Sequence, residues 1–241
     1  MLAAAALRLA AIEALCPTAA IDSGEGFPTL ALHRVYDSRA ISSAELEAGS
    51  PFTPTLSVFT EDTRIERRGA GATSAIGNAS TDLVVVAELA ELARDEANGN
   101  LDTDAVINGD AEMRIVLEAL TAQARSVLVR QPAGDAFRRI MKAAPLVRIE
   151  PFGLPQYGVR FMRNVMTFTF EIADDKFTDA AGLPEPMASV AAALPDGSYA
   201  KQRLAQLAAA FSATAREQLE AIGITVTAND APAMPFGSAE P

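Results

Sequence analysis

Two short segments contain residue types that catalytic or phosphate-binding sites use. Residues 69–74 (GAGATS) are rich in glycine, but they follow a charged stretch and no helical pattern comes next. A phosphate-binding loop needs a strand, a turn and a helix N-terminus together, because the backbone N–H groups must converge on the anion. Ser198 and Lys201 match the S-x-x-K pattern, without the companion motifs of the enzymes that use it. We therefore interpret residues 69–74 as a flexible loop and Ser198 as a helix cap, with Asp196 as the alternative cap.

A third segment, residues 98–110 (NGNLDTDAVINGD), is rich in oxygen atoms that could bind a cation. Counted from Asn100, the sixth position is Ala105 and the twelfth is Ala111, where a calcium-binding EF-hand loop requires Gly and Glu. The segment is better explained as a turn that leads to a helix capped by Asp110.

The chain has one histidine and one cysteine, which limits nucleophilic, proton-transfer and metal chemistry. We predict that His33 lies in a strand, where Asp37, four residues further on, would be about 13 Å away. We expect a hydrogen-bonded or surface histidine. Cys16 lacks the positive surroundings that activate a thiol, so we expect a small apolar residue at the end of a helix. One cysteine also excludes an internal disulfide framework.

Charged residues give two further indications. The carboxylate pairs Glu88 with Glu91 and Asp174 with Asp175 are expected to be solvated. The densest basic cluster contains Arg64, Arg67 and Arg68, with Glu66 among them. We consider two interpretations of this cluster: a solvated loop, or an arm that pairs with acidic residues of a neighbouring subunit.

The whole chain is acidic, with a formal net charge of −11 over 241 residues. This charge argues against binding along a nucleic-acid backbone, which needs clustered lysine and arginine. Residues 1–16 are apolar, but they lack a basic start and are interrupted by Arg8 and Glu13. They are better explained as a surface helix that docks on a sheet than as a signal peptide. No apolar run reaches the roughly 20 residues of a membrane span, so we expect a soluble intracellular protein.

The hydrophobic pattern predicts an α+β fold. Strands are expected at residues 29–36, 55–61, 81–89, 146–152 and 159–173, with a loop or hairpin at 62–80 and a short edge strand at 224–227. Helices are expected at residues 1–16, 111–130, 135–144, 187–194 and 198–222, of which the second and the last have the clearest period of 3.6. Residues 159–173 alternate apolar and polar side chains, which is typical of a strand with one buried face. The prediction is a mixed, mostly antiparallel sheet packed by an N-terminal helix and a long central helix. A helical extension at 176–228 and a loose tail at 229–241 follow the α/β core at 1–175.

The order of these elements resembles the gpU-like tail terminator proteins of long-tailed bacteriophages. The resemblance covers residues 1–175. The similar features are LRLAAIEAL at 7–15, FPTLALHRVYDS at 27–38, TPTLSVFTED at 53–62, an apolar strand at 83–89, a helix at 112–129 and FMRNVMTFTFEI at 161–172. The loop at 37–53 and the helical segment at 176–228 depart from the family's pattern as additions.

The resemblance implies a non-enzymatic virion protein of the phage neck, assembled in the host cytoplasm and without a cofactor or a metal. Proteins of this family form a hexameric ring that caps the tail tube, ends its polymerisation and meets the head-side connector or head-closure protein. A ring built by rotation joins two different patches on neighbouring subunits. Six copies would carry a charge of roughly −66, so an acidic lumen would let genomic DNA pass without specific binding.

Three alternatives stay open. The first is another head-to-tail connector, such as a head-closure or tail-completion protein, which shares small mixed folds and ring assembly. The second is a small enzyme of unknown substrate, although the sequence contains no complete catalytic constellation. The third is a bacterial ligand-binding domain without a role in a virion.

Overall fold

The structure is a computed structural model that describes residues 1–41, 52–66, 78–90, 110–143, 146–154, 161–176 and 182–210. One layer contains helices α1 (Leu2–Leu15), α2 (Thr18–Ser23), α3 (Asp110–Val129), α4 (Asp135–Arg138), α5 (Met187–Ala193) and α6 (Tyr199–Ala210). The other layer is a sheet of strands β1 (Val35–Asp37), β2 (Thr53–Glu66), β3 (Asn78–Ala90), β4 (Leu146–Leu154) and β5 (Phe161–Ala173).

The five strands form one sheet in the order β1-β2-β3-β5-β4. Only the β1–β2 pair is parallel, and the other three pairs are antiparallel. The predicted α+β class, with a mostly antiparallel sheet, an N-terminal helix and a long central helix, is therefore confirmed.

The alternation in β5 separates the two faces of the sheet. Met166, Phe168, Phe170 and Ile172 are fully buried against the helices. Met166 and Phe168 lie opposite Val85 and Leu83 of β3, which belong to the same core. Thr169 and Glu171 are exposed on the opposite face. Because successive side chains of a strand point to opposite faces, the period of two fixed this orientation.

Helix α1 is a central core element. Ten of its fourteen residues are buried, all around the helix, and it contacts β2, α3, α4, α5 and α6. The predicted position of this helix on the surface is therefore wrong: its small alanine side chains let neighbouring elements approach from several sides. Against the expectation that no apolar run reaches the length of a membrane span, Leu2–Ser23 is long and apolar enough to cross a membrane. However, 61% of its most apolar window is buried inside the fold.

Helices α3, α5 and α6 complete the core. The buried stripe of α3 has the predicted period, as Leu117, Leu120, Ala124 and Leu128 show. From the segment predicted as an extension, the described part contributes buried side chains to the same hydrophobic cluster, namely Met187, Val190, Leu194, Ala200 and Leu204. The predicted edge strand at 224–227 and the tail at 229–241 lie outside the described residues.

The bounds of all five strands differ from the predicted ones, and the largest differences lie at two places. Residues 29–33 form turns, and β1 is only three residues long, so the predicted strand at 29–36 is largely wrong. Leu32 has a φ of 53°, which an extended strand does not allow. The hairpin alternative for residues 62–80 is the better one, because β2 continues to Glu66 and β3 begins at Asn78.

Candidate functional site

Strand β2 extends beyond the short β1, and we call the part of the β2–β3 hairpin past Val58, residues 59–66 and 78–83, the arm. The β3 residues of this arm stay paired with β5. Strand β1 pairs only with Leu56–Val58 of β2. Beyond Val58, no described strand pairs with the outer edge of β2. The arm therefore carries a row of backbone N–H and C=O groups that another chain could pair with.

The described part of the predicted basic cluster lies at the end of this arm. Arg64 is exposed and Ile65 is 52% exposed. Glu66 is the last residue of β2 and lies opposite Asn78. Arg67 and Arg68 lie outside the described residues. The structure thus places Arg64 and Glu66 on an open sheet edge, which local sequence reasoning did not predict.

A β-bulge sets the orientation of the arm's last residues. The register of β2 against β3 shifts between Glu61 and Arg64, and Asp62 has a φ of 42°. After the bulge, Ile65 lies opposite Ala79, which belongs to the core face, and Arg64 lies opposite Ser80 on the other face. Bulges bend and twist a strand locally, and the extra residue here decides which face of the sheet Arg64 and Ile65 belong to.

Strand β4 forms the opposite edge of the sheet. Helix α3 packs on β3 and β5, and it leaves Ile149 of β4 42% exposed. Between α3 and β4 lies a groove of about 330 Å³, lined by Arg114, Glu118, Thr121, Ala122, Arg125, Ile149, Pro151 and Asn164. The sheet is therefore one strand wider than the helix layer that covers it.

The inner wall of this groove is held by buried hydrogen bonds. Asn164 Nδ2 donates to Thr121 Oγ1 at 3.0 Å, and Thr121 Oγ1 donates to the carbonyl of Leu117 at 2.7 Å. Because unpaired buried polar groups are costly, these two consecutive hydrogen bonds fix the spacing between α3 and β5. On the other face of β4, Arg148 and Glu150 form an exposed ion pair at 2.6 Å.

A larger cavity of about 480 Å³ lies beside α1, and both the histidine and the cysteine line it. Its wall includes Asp37, whose carboxylate forms an ion pair with Arg8 at 2.7 Å and accepts a hydrogen bond from the Tyr199 hydroxyl at 3.0 Å. His33 lies in the turn before β1, against the predicted position in mid-strand. Its ring contacts Phe27 edge-on, with 6.5 Å between ring centroids.

The protonation states in this cavity do not favour nucleophilic chemistry. Burial, followed by the negative charge of Glu13, raises the pKa of Cys16 to about 11, so the thiol is protonated at neutral pH. Burial also raises the pKa of Glu13, against hydrogen bonds from the backbone N–H and hydroxyl of Thr18. Within the described ranges, no group of three or more histidine, cysteine or carboxylate side chains could hold a metal ion.

The structure corrects the prediction of solvated carboxylates for Glu88 and for Asp175, whereas Glu91 lies outside the described residues. Glu88 is 5% exposed on β3, opposite Arg163 of β5. Burial raises its pKa, and the charge of Arg163 acts in the other direction. Asp175 accepts hydrogen bonds from the backbone N–H groups of Leu2 and Ala3, at 2.8 and 2.7 Å. It caps α1 from a distant part of the chain.

The Ser198–Lys201 pair has the capping role that the sequence indicated. The backbone N–H of Lys201 donates to Ser198 Oγ at 3.1 Å. The Lys201 ammonium contacts Asp196 at 2.6 Å and the carbonyl of Leu194 at 3.2 Å. Hydrogen bonding and charge from Lys201 lower the pKa of Asp196. Residues 69–74 and 98–109 lie outside the described residues.

Sequence reasoning missed the exposed residues of β4. Arg148, Ile149 and Glu150 repeat the tripeptide of Arg64, Ile65 and Glu66. This repetition was the available signal, although only the structure shows that one tripeptide lies on the edge strand β4 and the other on the part of β2 that β1 leaves uncovered.

No family model matches the chain, and the search of curated proteins found no match.

Proposed function

We propose that the protein is a structural component of a long-tailed bacteriophage, of the tail terminator type. Six copies form a ring that caps the tail tube, ends its polymerisation and joins it to the head-side connector. The observation that carries this proposal is a pair of strand edges on opposite sides of one sheet that no described strand covers, the outer edge of β2 beyond Val58 and the outer edge of β4. A ring built by rotation needs two such different surfaces on each subunit.

The two edges also have suitable exposed side chains. Ile65 on the arm and Ile149 beside the groove are 52% and 42% exposed. Arg148 and Glu150, on the second edge, are largely exposed as well. An apolar contact flanked by charged residues is the usual arrangement of a specific protein interface.

The large cavity beside α1 supports an enzyme less well. Its thiol has a raised pKa, and its carboxylate Asp37 is held by Arg8 and Tyr199. These contacts join α1, β1 and α6, so they also serve the packing of the fold.

The acidic charge suits a ring through which DNA passes. Six copies at −11 each carry roughly −66. A lumen of that sign repels phosphate and allows the genome to slide without specific binding. A basic lumen in an assembled ring would count against the proposal.

The decisive experiment is a mass measurement of the purified protein with and without tail tubes, combined with negative-stain images. We expect a six-fold ring at the tube end, and tubes of uncontrolled length when the protein is absent. Tubes of normal length that fail to join heads would replace the proposal with another head-to-tail connector. A monomer that holds a small ligand in the large cavity would overturn it.

A further inference from the structure

The tripeptide Arg-Ile-Glu occurs on both of the strand edges that no described strand covers. One copy is Arg64-Ile65-Glu66 at the end of β2, and the other is Arg148-Ile149-Glu150 in β4. In an antiparallel pair, this tripeptide is complementary to itself: arginine lies opposite glutamate, and isoleucine opposite isoleucine. Directly opposite pairs of these kinds are the side-chain contacts that stabilise neighbouring strands.

The strand directions fit such a pair. Strand β2 is antiparallel to β3, β3 to β5, and β5 to β4. It follows that β4 runs antiparallel to β2. When a second subunit continues the sheet with the same strand directions, its β2 meets β4 as an antiparallel neighbour.

The faces fit as well. Ile65 lies opposite Ala79 and Ile149 lies opposite Met166, so both isoleucines belong to the side of the sheet that the helices cover. Arg64, Arg148 and Glu150 belong to the other side, which no described helix covers. In a continued sheet, Ile65 would therefore lie beside Ile149, at the outer side of the groove that Ala122 and Pro151 also line.

We propose that β4 of one subunit pairs with the arm of the next subunit in one register: Arg64 opposite Glu150, Ile65 opposite Ile149, and Glu66 opposite Arg148. This inference deepens the proposed function, since it names the contact that would close the ring. One interpretation of the basic cluster was an arm that pairs with acidic residues of a neighbouring subunit. In this register, Glu150 is the acidic residue that pairs with Arg64 of that arm.

The same tripeptide would also allow β4 to pair with β4 of a second copy around a two-fold axis. That dimer leaves Ile65 and the whole edge of the arm exposed. The head-to-tail junction covers both free edges of every subunit. An open strand edge is prone to uncontrolled association. We therefore favour the head-to-tail junction, which covers both edges, over the β4–β4 dimer, which covers one.

The junction can be tested by disulfide crosslinking of the full chain in a Cys16→Ala background. Directly opposite residues of an antiparallel pair have Cα atoms about 4.5–5.5 Å apart, within the range that a disulfide spans. The double variant Ile65→Cys/Ile149→Cys should give a series of disulfide-linked oligomers on oxidation. Because the disulfide is covalent, the crosslinking also captures transient contacts between subunits. Each single variant should stay unlinked. Dimers of the Ile149→Cys variant alone would show the two-fold pair and overturn the proposal, as would a double variant without links.

A charge-reversal experiment tests the register independently. Arg64→Glu places two glutamates opposite each other, and we expect about tenfold weaker association by analytical ultracentrifugation. Glu150→Arg alone should weaken association similarly, and the double variant should restore it. Arg139→Glu is the matched control, because this exposed arginine makes no side-chain contact within the described residues. Equal weakening by the control, or no restoration, would refute the register.

The two proposals fail in different ways. The crosslinking uses the protein alone, whereas tube capping requires tail tubes. Linked oligomers that do not cap tubes would overturn the tail terminator proposal and keep the junction. Rings that cap tubes without a link between positions 65 and 149 would overturn only the junction.

Discussion

Removing the carboxylate of Asp175 should destabilise the whole protein, although this residue lies far from α1 in the chain. Its two oxygens accept hydrogen bonds from the N–H groups of Leu2 and Ala3, at 2.8 and 2.7 Å. Loss of an N-cap costs about 0.5–2 kcal/mol, and loss of a negative charge at a helix N-terminus about 0.3–1 kcal/mol. Because α1 is the central core helix, its first turn cannot fray without exposing core. We therefore expect Asp175→Ala to lower the free energy of unfolding by about 2 kcal/mol.

Urea denaturation followed by circular dichroism measures this change, and Tm should fall by about 4–8 °C in a chain of this size. Asp175→Asn should lose about half as much, because its amide keeps one acceptor oxygen. Asp22→Ala is the matched control: Asp22 is exposed on α2 and has no side-chain contact within the described residues. If Asp175→Ala and Asp22→Ala are equally stable, the capping argument is refuted.

Three further predictions concern buried groups. Phe137 is fully buried and packs edge-on against Phe170, so Phe137→Ala should cost about 3–5 kcal/mol in urea denaturation, and Phe137→Leu clearly less. Burial raises the pKa of Glu13 above 4.5, despite the hydrogen bonds from Thr18. The folded state thus holds this proton more tightly than the unfolded state, and the resulting stability is present below pH 4.5 and lost as pH rises through the folded pKa. Glu13→Gln should remove that part of the pH dependence above pH 4.5, and identical pH profiles of the two proteins would contradict this reasoning. The rise in the pKa of Cys16 from 9.0 to about 11 lowers its thiolate fraction at pH 8 roughly 100-fold, so a thiol reagent should react far more slowly with the native protein than in urea.

Local patterns determined the elements that bury one face. The alternation in β5 identified Met166, Phe168 and Phe170 as core residues, and the period of 3.6 identified the buried stripe of α3. Ser198 was identified as a cap from its position before a helix. Each of these features depends on residues within one or two turns or strand repeats, which is the range that a single sequence shows.

Other features depend on residues that are distant in the chain. Glu88 looked like surface charge, and it is buried because β5 places Arg163 opposite it. Asp175 looked solvated, and it caps a helix 172 residues away. Residues 29–33 form a turn instead of the predicted strand. In this turn the Leu30 N–H donates a hydrogen bond to the side chain of Gln123 in α3. In each case a tertiary partner decided the outcome over the local preference.

The candidate interface divides in the same way. The sequence by itself determined that Arg64 and its neighbours form a charged cluster, because charge density is a local property. Only the tertiary structure decided that β4 is an edge strand, that β1 covers β2 only at Leu56–Val58, and that Ile65 and Ile149 share the helix-covered side of the sheet. Strand order and register are set by contacts between residues far apart in the chain, so no local spacing encodes which strand edges stay free.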